Sequence, residues 1–399
     1  SYLKVTKFIA ISLIIFSILV SLYGENPNKI QKQIKKILIL FISFTLLIYC
    51  FSYTFSQIFT SSLFPLTFST SNYFPDHSSI TKQVILFFTS FSSITYPAIA
   101  LATILFGLAL IGRNHEKEKF EEILLTVQST LDKIFDWSLK LFPLFTIPFS
   151  INIVSTLNQN TFIYLKFYLL AFFLLCSFFI FFLFPQLLKL FCGIKKRKFF
   201  SVFSFPILVS FVSGSAIIAL PLIMNCLNKL ELKKNENTNP HHNKWMIGFL
   251  ICLPSFGSML SSFYVLFLGK FYHVGIPFFR HVEIIILGTF SLFNNHLLPT
   301  NGISFLIDRL SLPLDGNSLY LQSLSYTSHL SSLFSLVGLT SLTILCMPYT
   351  KKFASLKFSR VCYTLFLPVL LSTFLILSLR TYLPELPAEK PLSKTYIIA

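Results

Sequence analysis

The stretch SFVSGSAIIALPLIMNCLNKLELKK, residues 210–234, decides how this chain is expected to fold. Ser213-Gly214-Ser215 interrupts one apolar run, and Leu220-Pro221 lies in a second apolar run that ends in lysines. Each run is too short to cross a bilayer alone, because a spanning helix needs roughly 20 apolar residues. The pattern therefore indicates two half-length apolar arms that meet at a polar tip.

The rest of the chain has the composition of a membrane protein. Hydrophobic residues make up 54% of its 399 residues and charged residues only 12%, which is more apolar surface than a soluble domain can bury. The run KFYLLAFFLLCSFFIFFLFPQLLKLF, residues 166–191, is long enough to span. We predict an all-α, multi-pass membrane protein whose apolar segments are 3–23, 37–64, 84–112, 134–157, 161–192, 199–227, 245–269, 282–307, 318–348 and 361–379.

The net charge of +17 favours a membrane topology over nucleic-acid binding, because Lys and Arg accumulate in the short cytoplasmic loops of membrane proteins. All the basic loops can lie on the cytoplasmic side of the inner membrane only if segments 199–227 and 282–307 enter the membrane and return. These loops contain Lys29, Lys32, Lys35 and Lys36; Arg113, Lys117 and Lys119; the KKRK sequence at 195–198; Lys229, Lys233, Lys234 and Lys244; and Lys351, Lys352, Lys357 and Arg360.

Segment 199–227 is predicted to be a re-entrant hairpin with Ser213-Gly214-Ser215 at its tip. Non-helical backbone is tolerated at membrane depth only where protein buries it or a watery cavity reaches it. Gly214 supplies backbone freedom. Ser213 and Ser215 can cap a half-helix that begins near Ala216 and points its amide groups into a cavity. An ordinary helix kink is the alternative.

Segment 282–307 has the corresponding pattern, with its ends on the outside. Pro299-Thr300-Asn301-Gly302 is strong turn chemistry between apolar arms. Two interrupted apolar segments, one entering from each side, are typical of the midplane substrate site of a secondary transporter. A plain extracellular loop is the alternative, which the polar residues Asn294, Asn295 and His296 would also suit.

At these residues the chain resembles the dicarboxylate/amino acid:cation symporters, which have the glutamate-transporter fold. VSGSAIIALPLIMNCLNKL at 212–230 is similar to the first hairpin of that family, and LLPTNGISFLIDRLSLPL at 297–314 is similar to the second. WMIGFLICLPSFGSML at 245–260 resembles the start of the family's seventh helix. Further matches are residues 26–49 with the third helix and its preceding loop, 102–151 with the end of the fourth helix, a cytoplasmic loop and the fifth helix, and 318–348 with the eighth helix.

The resemblance implies an elevator-type transporter that assembles as a homotrimer. It places mainly scaffold helices in residues 1–192, where a counterpart of the family's first helix is missing, and a transport domain with both hairpins in residues 193–350. Residues 351–399 would add an extra transmembrane helix and a Pro-rich tail outside the membrane, whose composition suits a linker. The hypothesis that follows is a partner, an extracytoplasmic solute-binding domain, beyond that tail.

The chain departs from the family at the residues that carry charge. The family's seventh helix has Asn-Met-Asp-Gly-Thr, whereas the matching residues here are Leu260-Ser261-Ser262-Phe263-Tyr264. The family's eighth helix carries an Arg for the substrate carboxylate together with Asp and Asn, whereas no Arg, Lys, Asp or Glu occurs between Gly316 and Thr350. Holding a dicarboxylate in a dry site without a counter-charge would cost several kcal/mol.

The resemblance therefore implies a site built from hydroxyls, backbone and one histidine. His329 is a functional candidate as an intramembrane ionisable residue, although a hydrogen-bonded packing histidine is the alternative. The serines have an alternative role as ordinary inter-helix hydrogen bonds. The predicted substrate-binding residues are Ser213, Gly214, Ser215, Pro299, Thr300, Asn301, Gly302, His329, Ser332 and Thr340, and the weak cation-binding residues are Ser258, Ser261 and Ser262.

We predict a secondary active transporter of amino acids or dicarboxylates, coupled to Na⁺ or H⁺, with no cofactor. The alternative is a degenerate, non-transporting membrane protein that serves as a sensor or as an anchor for an external domain. An enzyme is not expected, because no nucleophile–base pair, metal set or phosphate loop is present. The cysteines and histidines also show no ligand spacing.

Overall fold

The computed structural model describes residues 2–23, 27–57, 102–105, 117–156, 159–232, 244–251, 253–272, 274, 276–291, 300–310, 312 and 315–347. Within these ranges 92% of the residues are helical and no strand occurs, which confirms the predicted all-α class. The segment predicted at 361–379 and the tail after it lie outside the described residues. So do the end of the segment at 37–64, from residue 58 on, and most of the segment at 84–112.

The helices follow the predicted apolar segments, and the structure describes more than one helix in each of the segments 199–227, 245–269 and 282–307. The long helices are α1 (Tyr2–Tyr23), α2 (Pro27–Ser56), α3 (Lys117–Thr156), α4 (Gln159–Phe178), which continues through a π-helical turn (Phe179–Leu183) into α5 (Phe184–Cys192), and α13 (Asp315–Cys346). Segment 199–227 gives α6 (Lys196–Ser213) and α7 (Ala216–Leu232), and segment 282–307 gives α11 (Phe278–Ser291) and α12 (Thr300–Arg309), with residues 292–299 outside the described part of the chain. Between them lie α8 (Lys244–Ile251), α9 (Phe256–Met259) and α10 (Ser261–Phe271).

Three helical stretches in the described part of the chain are long and apolar enough to cross a membrane: Ile30–Ser56, Leu165–Cys192 and Gly316–Cys346. Large apolar side chains are exposed on the first two of these stretches and on α6. Ile42 is 57% exposed, Phe173 56% and Phe205 55%. Soluble monomers rarely expose extended apolar faces of this kind, so the packing agrees with a lipid environment.

Helix α13 lies at the centre of the packing. At 32 residues it is about 48 Å long, and it contacts α2, α4 to α9 and α12. Its buried Phe334 ring lies 5.3 Å from Phe179 and 5.6 Å from Phe184. Phe179 is the first residue of the π-helical turn, and Phe184 directly follows it.

Proline explains that turn. Pro185 has no N–H to donate to the carbonyl one turn earlier, so the helix loses a normal hydrogen bond there. The N–H of Phe184 instead donates to the carbonyl of Phe179, five residues back, which is the π-helical pattern. The extra residue in this turn sets how the aromatic side chains around it face α13.

Lys36 and the KKRK sequence at 195–198 lie at one end of the bundle. Lys36 Nζ lies 3.4 Å from the carbonyl oxygen of Cys346, at the end of α13, and Cys192 Sγ lies 3.9 Å from that of Ile344. Helix α6 begins shortly after Cys192, at the KKRK sequence. One prediction is corrected here: Lys29, Lys32, Lys35 and Lys36 lie in the first turns of α2 and do not form a loop, because the helix already begins at Pro27.

The start of α11 and the end of α12 lie at the opposite end of α13. Tyr49 near the end of α2 hydrogen-bonds His281 Nδ1 at 2.7 Å, and the hydroxyl of Tyr264 donates to the carbonyl of Gly316 at 2.8 Å. Arg309 ends α12 and pairs with Glu283 of α11 at 3.1 Å. Helices α6 and α11 therefore start at opposite ends of α13, and the re-entry of segments 199–227 and 282–307 into the membrane stays a prediction.

Helix α1 packs on α3, α7 and α8. The buried Gln128 side chain donates to Ser17 Oγ at 3.1 Å, and Ile18 fills the space beside Gly248 of α8. One continuous core joins residues of α1, α2, α4 and α5 to residues of the later helices. Residues before and after position 192 thus share one hydrophobic core. The predicted boundary between a scaffold domain and a transport domain at this position stays a prediction.

Gly248→Ala should destabilise the fold, because the new methyl group would overlap the buried Ile18 Cδ1. Overpacking of this kind costs about 1–3 kcal/mol. We expect a lower melting temperature of the detergent-solubilised protein in a thermal unfolding assay. Gly248→Ala combined with Ile18→Ala should melt higher than the sum of the single changes predicts; simple additivity would contradict the contact.

Candidate functional site

The predicted tip at residues 213–215 is a sharp turn between two packed helices. Gly214 has φ of 61°, in the left-handed region, and ends α6. Its N–H donates to the carbonyl of Phe211 at 3.4 Å. The hydroxyl of Ser213 accepts from the backbone N–H of Ser215 at 3.2 Å, so a local side chain satisfies the backbone at the point where the chain reverses.

Helix α13 holds the tip from one side. Ser332 Oγ donates to the carbonyl of Ser210 at 3.0 Å and lies 2.8 Å from Ser210 Oγ. His329 Nδ1 lies 2.6 Å from the carbonyl oxygen of Phe211. The tip therefore meets the middle of α13.

A second interruption lies between α8 and α10, where a short unwound segment precedes α9. Ser255 caps α9, because its hydroxyl accepts from the N–H of Ser258 at 3.1 Å. Leu260 then separates α9 from α10. The apolar run that the sequence predicts as one helix at 245–269 is thus broken around Pro254.

Gly257 lets this broken helix approach α13 closely. Its N–H donates to Ser335 Oγ at 2.7 Å. A Cβ at this position would overlap both that hydroxyl and the backbone carbonyl oxygen of Ser331. The contact is therefore made between backbones, with a glycine on one side.

The tip, the broken helix and α13 enclose a cavity of about 130 Å³. Hydroxyl groups and backbone form most of its polar wall, and none of its described lining residues is Arg, Lys, Asp, Glu or His. Tyr168 and Phe172 of α4 close one side. The lining residues are Tyr168, Phe172, Gly214, Ser215, Ala216, Ile217, Ser255, Gly257, Ser258, Ser261, Tyr320, Leu324, Thr327, Ser328, Ser331, Ser332 and Ser335.

The structure divides the three serines predicted to bind a cation. Ser258 and Ser261 line this cavity, whereas Ser262 lines a separate cavity of about 20 Å³ with Thr45, Tyr49 and Thr289. Each hydroxyl donates to a backbone carbonyl in its own segment: Ser258 to Ser255, Ser261 to Ser258 and Ser262 to Met259. Their remaining oxygen lone pairs can still accept a hydrogen bond or contact a cation.

The predicted substrate-binding residues also fall into groups. Gly214, Ser215 and Ser332 line the cavity; Ser213 and His329 lie in or behind the tip and do not line it. Thr340 is buried farther along α13, where its hydroxyl donates to the carbonyl of Leu336 at 2.7 Å. Thr300, Asn301 and Gly302 lie in the first turn of α12 and do not form the predicted turn, whereas Pro299 lies outside the described residues.

Several lining residues were missed by sequence reasoning. Tyr168 and Phe172 lie in an apolar run whose lipid-facing and cavity-facing sides look alike. Ser255 follows Pro254 and precedes Ser258 by three residues, which is an N-cap signal that would have revealed the break in the helix. Ser335 continues the four-residue spacing of Thr327 and Ser331 on one helix face.

Comparison with known families gives one match. The family model described as "SDF: Sodium:dicarboxylate symporter family" matches residues 1–322. This range includes the tip at Gly214, the broken helix around Pro254 and the first turns of α13. No curated protein matches the sequence.

Gly257→Ala should disrupt the junction between α9 and α13 more than Ser335→Ala does. The alanine methyl group would overlap a backbone oxygen, which no side-chain rotation relieves. Ser335→Ala leaves one buried N–H without its partner, at a cost of about 1–3 kcal/mol. Thermal unfolding in detergent should rank the variants in this order, and combining both changes should not restore stability. A Gly257→Ala variant that melts like the wild type would contradict the close contact.

Proposed function

The chain belongs to the sodium:dicarboxylate symporter family, and from this premise we propose that it is a cation-coupled symporter of a small solute that carries no net charge. At the family level it is an integral membrane transport protein and not an enzyme. The proposal concerns the class of substrate, the way it is held and the coupling ion. The observation that carries it is the absence of Arg, Lys, Asp, Glu and His from the described lining of the cavity.

A dicarboxylate fits this lining poorly. Burying an ionised carboxylate without a paired positive charge costs several kcal/mol. The described lining supplies no Arg or Lys. Residues 292–299 of segment 282–307 contain neither type in the sequence. A solute with two negative charges and one positive charge would therefore leave one charge unbalanced.

The cavity wall has a donor side and an acceptor side. At the tip, α7 begins at Ala216 and presents the unpaired N–H groups of a helix N-terminus, and Ser215 beside it is only 6% exposed and lines the cavity. On the facing helices the hydroxyls of Ser258, Ser261 and Thr327 donate to their own backbone carbonyls. The lone pairs of Ser261 and Thr327 therefore remain as acceptors, whereas Ser258 Oγ already accepts one hydrogen bond from Ser255 Oγ at 3.0 Å.

This polarity suits a zwitterion or a small neutral polar solute. We propose that a carboxylate or carbonyl group lies at the start of α7 near Ser215, and that an amino or hydroxyl group faces the acceptors of α9, α10 and α13. A small neutral amino acid has both groups at a suitable separation. Helix-end dipoles and hydroxyls would thus replace an arginine clamp.

Sodium is the proposed coupling ion, because the family is one of sodium symporters. Ser258 and Ser261, with the backbone carbonyls near the break between α9 and α10, are the oxygen atoms that would hold it. A hard cation prefers several oxygens and usually a carboxylate. With hydroxyls and carbonyls alone we expect weak sodium binding, saturating only at high concentration.

We also propose that segments 199–227 and 282–307 are re-entrant hairpins of an elevator-type transport domain in a homotrimer. Helix α6 starts at the basic end, and at 18 residues it is about 27 Å long. It ends beside the middle of the roughly 48 Å α13, which supports a tip at membrane depth. A non-transporting anchor would have no need of a polar cavity there.

Uptake into proteoliposomes tests the proposed function. The panel should contain labelled serine, alanine, threonine, aspartate, glutamate and succinate, with an imposed sodium gradient, a proton gradient or neither. We expect sodium-driven uptake of one or more neutral amino acids and little uptake of the dianions. Preferential uptake of dicarboxylates would contradict the proposed substrate class, and proton-driven uptake without sodium would contradict the coupling ion.

Ser215→Ala should raise the KM for the transported solute about 2- to 10-fold, the loss expected for one hydrogen bond. Thr340→Val is the matched control, because it removes a buried hydroxyl of α13 that does not reach the cavity. The control should leave KM unchanged. Equal effects of the two changes on KM would place the solute elsewhere along α13.

A further inference from the structure

We propose that His329 is a positioning residue that holds the tip of the α6–α7 hairpin closed against α13, and that opening of this tip requires release of its hydrogen bond to Phe211. This inference rests on the proposed function only in taking the tip as a barrier to the cavity. It assigns His329 a role different from that of a substrate ligand. Four observations support it.

The first observation is the hydrogen bond itself. His329 Nδ1 and the carbonyl oxygen of Phe211 are 2.6 Å apart. A carbonyl oxygen can only accept, so Nδ1 carries the hydrogen and donates. Phe211 lies in the last turn of α6, where its carbonyl also accepts a long hydrogen bond of 3.4 Å from the N–H of Gly214. The imidazole thus caps the carboxyl end of α6 from another helix.

The second observation is a parallel contact one turn away. Ser332, three residues after His329 and on the same face of α13, donates to the carbonyl of Ser210 at 3.0 Å. Two successive carbonyls of α6 are therefore bound by two side chains of α13. Ser210 and Ser332 are both buried, and breaking a buried hydrogen bond without replacing it is costly.

The third observation is the fit of Gly214 over the imidazole ring. A Cβ on Gly214 would lie 3.2 Å from His329 Cε1, 3.4 Å from Nδ1 and 3.6 Å from Nε2. The glycine also has a positive φ, which other residues rarely adopt. The backbone of the tip consequently rests on the ring, and a side chain there would lift it away.

The fourth observation is where the cavity lies. Ser215 and Ala216, which follow directly in the chain, line the cavity, whereas His329 does not. The carboxyl end of α6 is thus tied to α13, and the amino end of α7 faces the space proposed for the solute. A tip that leaves α13 would uncover that space, and one that stays would cover it.

Thiol accessibility at the start of α7 tests this role without a known substrate. Ala216→Cys places a thiol on the cavity wall, and its rate of modification by a membrane-impermeant maleimide can be followed by peptide mass spectrometry in proteoliposomes. Complete labelling of the same thiol in denatured protein is the reference. Circular dichroism and size-exclusion chromatography establish that each variant is folded.

In this background His329→Leu should increase the modification rate of the introduced thiol roughly 5- to 10-fold, as loss of one hydrogen bond predicts. His329→Asn should restore a rate near that of the parent, because its Nδ2 occupies the position of Nδ1 and can donate to Phe211. Ser325→Ala, one turn away on α13 and outside the cavity lining, is the control and should leave the rate unchanged.

Two results would overturn the proposal: an unchanged rate in His329→Leu, or a rate in His329→Asn as fast as in His329→Leu, which would indicate a packing role alone. If His329→Leu does not fold, Ser332→Ala tests the same contact and should also raise the rate. Faster modification together with absent uptake in the wild type would support the role of His329 and reject the proposed transport activity. The two failures can therefore be told apart.

Discussion

Backbone that leaves helical geometry inside a membrane must find its hydrogen-bond partners within the protein, and α13 supplies them here. Its side chains bind the carbonyls of Ser210 and Phe211 at the end of α6. Ser335 accepts from the N–H of Gly257 at the start of α9. Helix α13 thus binds backbone groups at both interruptions of regular helix that border the cavity, in addition to the local partners Ser213 and Ser255. Removing the small polar residues of α13 would leave the N–H of Gly257 without the Ser335 hydroxyl and the carbonyl of Ser210 without the Ser332 hydroxyl.

The same residues determine what the cavity can offer a solute. A hydroxyl that donates to a carbonyl in its own helix keeps its lone pairs, so a face rich in Ser and Thr becomes an acceptor surface. Thr327 shows this pattern along α13, and Ser261 shows it in the broken helix. The donors come instead from the beginning of α7. The division into donor and acceptor sides therefore follows from helix geometry and needs no charged residue.

The turn between α6 and α7 could be predicted because Ser213-Gly214-Ser215 interrupts an apolar run that has basic residues at both ends. That this segment enters the membrane and returns stays a prediction. The position along α13 at which its side chains contact the tip could not be predicted. Ser332 and Thr340 are eight residues apart, about 12 Å along a helix, and nothing in the sequence shows which one faces Gly214. Likewise, adjacent residues of a helix point about 100° apart. That rotation sends Ser261 to the main cavity and Ser262 to another. The contact of Tyr168 with the cavity could not be predicted, because a uniformly apolar run does not indicate which of its faces is buried.

A charge-free cavity also has a consequence for the proposed elevator cycle. Moving one elementary charge across the membrane potential is worth about 2.3 kcal/mol per 100 mV. When Arg and Asp line a site, their net charge moves across the membrane potential with the site in each half of the cycle. A site lined by hydroxyls and helix ends carries only the charge of the bound ion, since the zwitterion contributes none. The loaded site would then sense the potential through sodium alone, whereas the empty site would return without electrical work. Weak ion binding and an uncharged return are thus linked consequences of building the site from Ser and Thr.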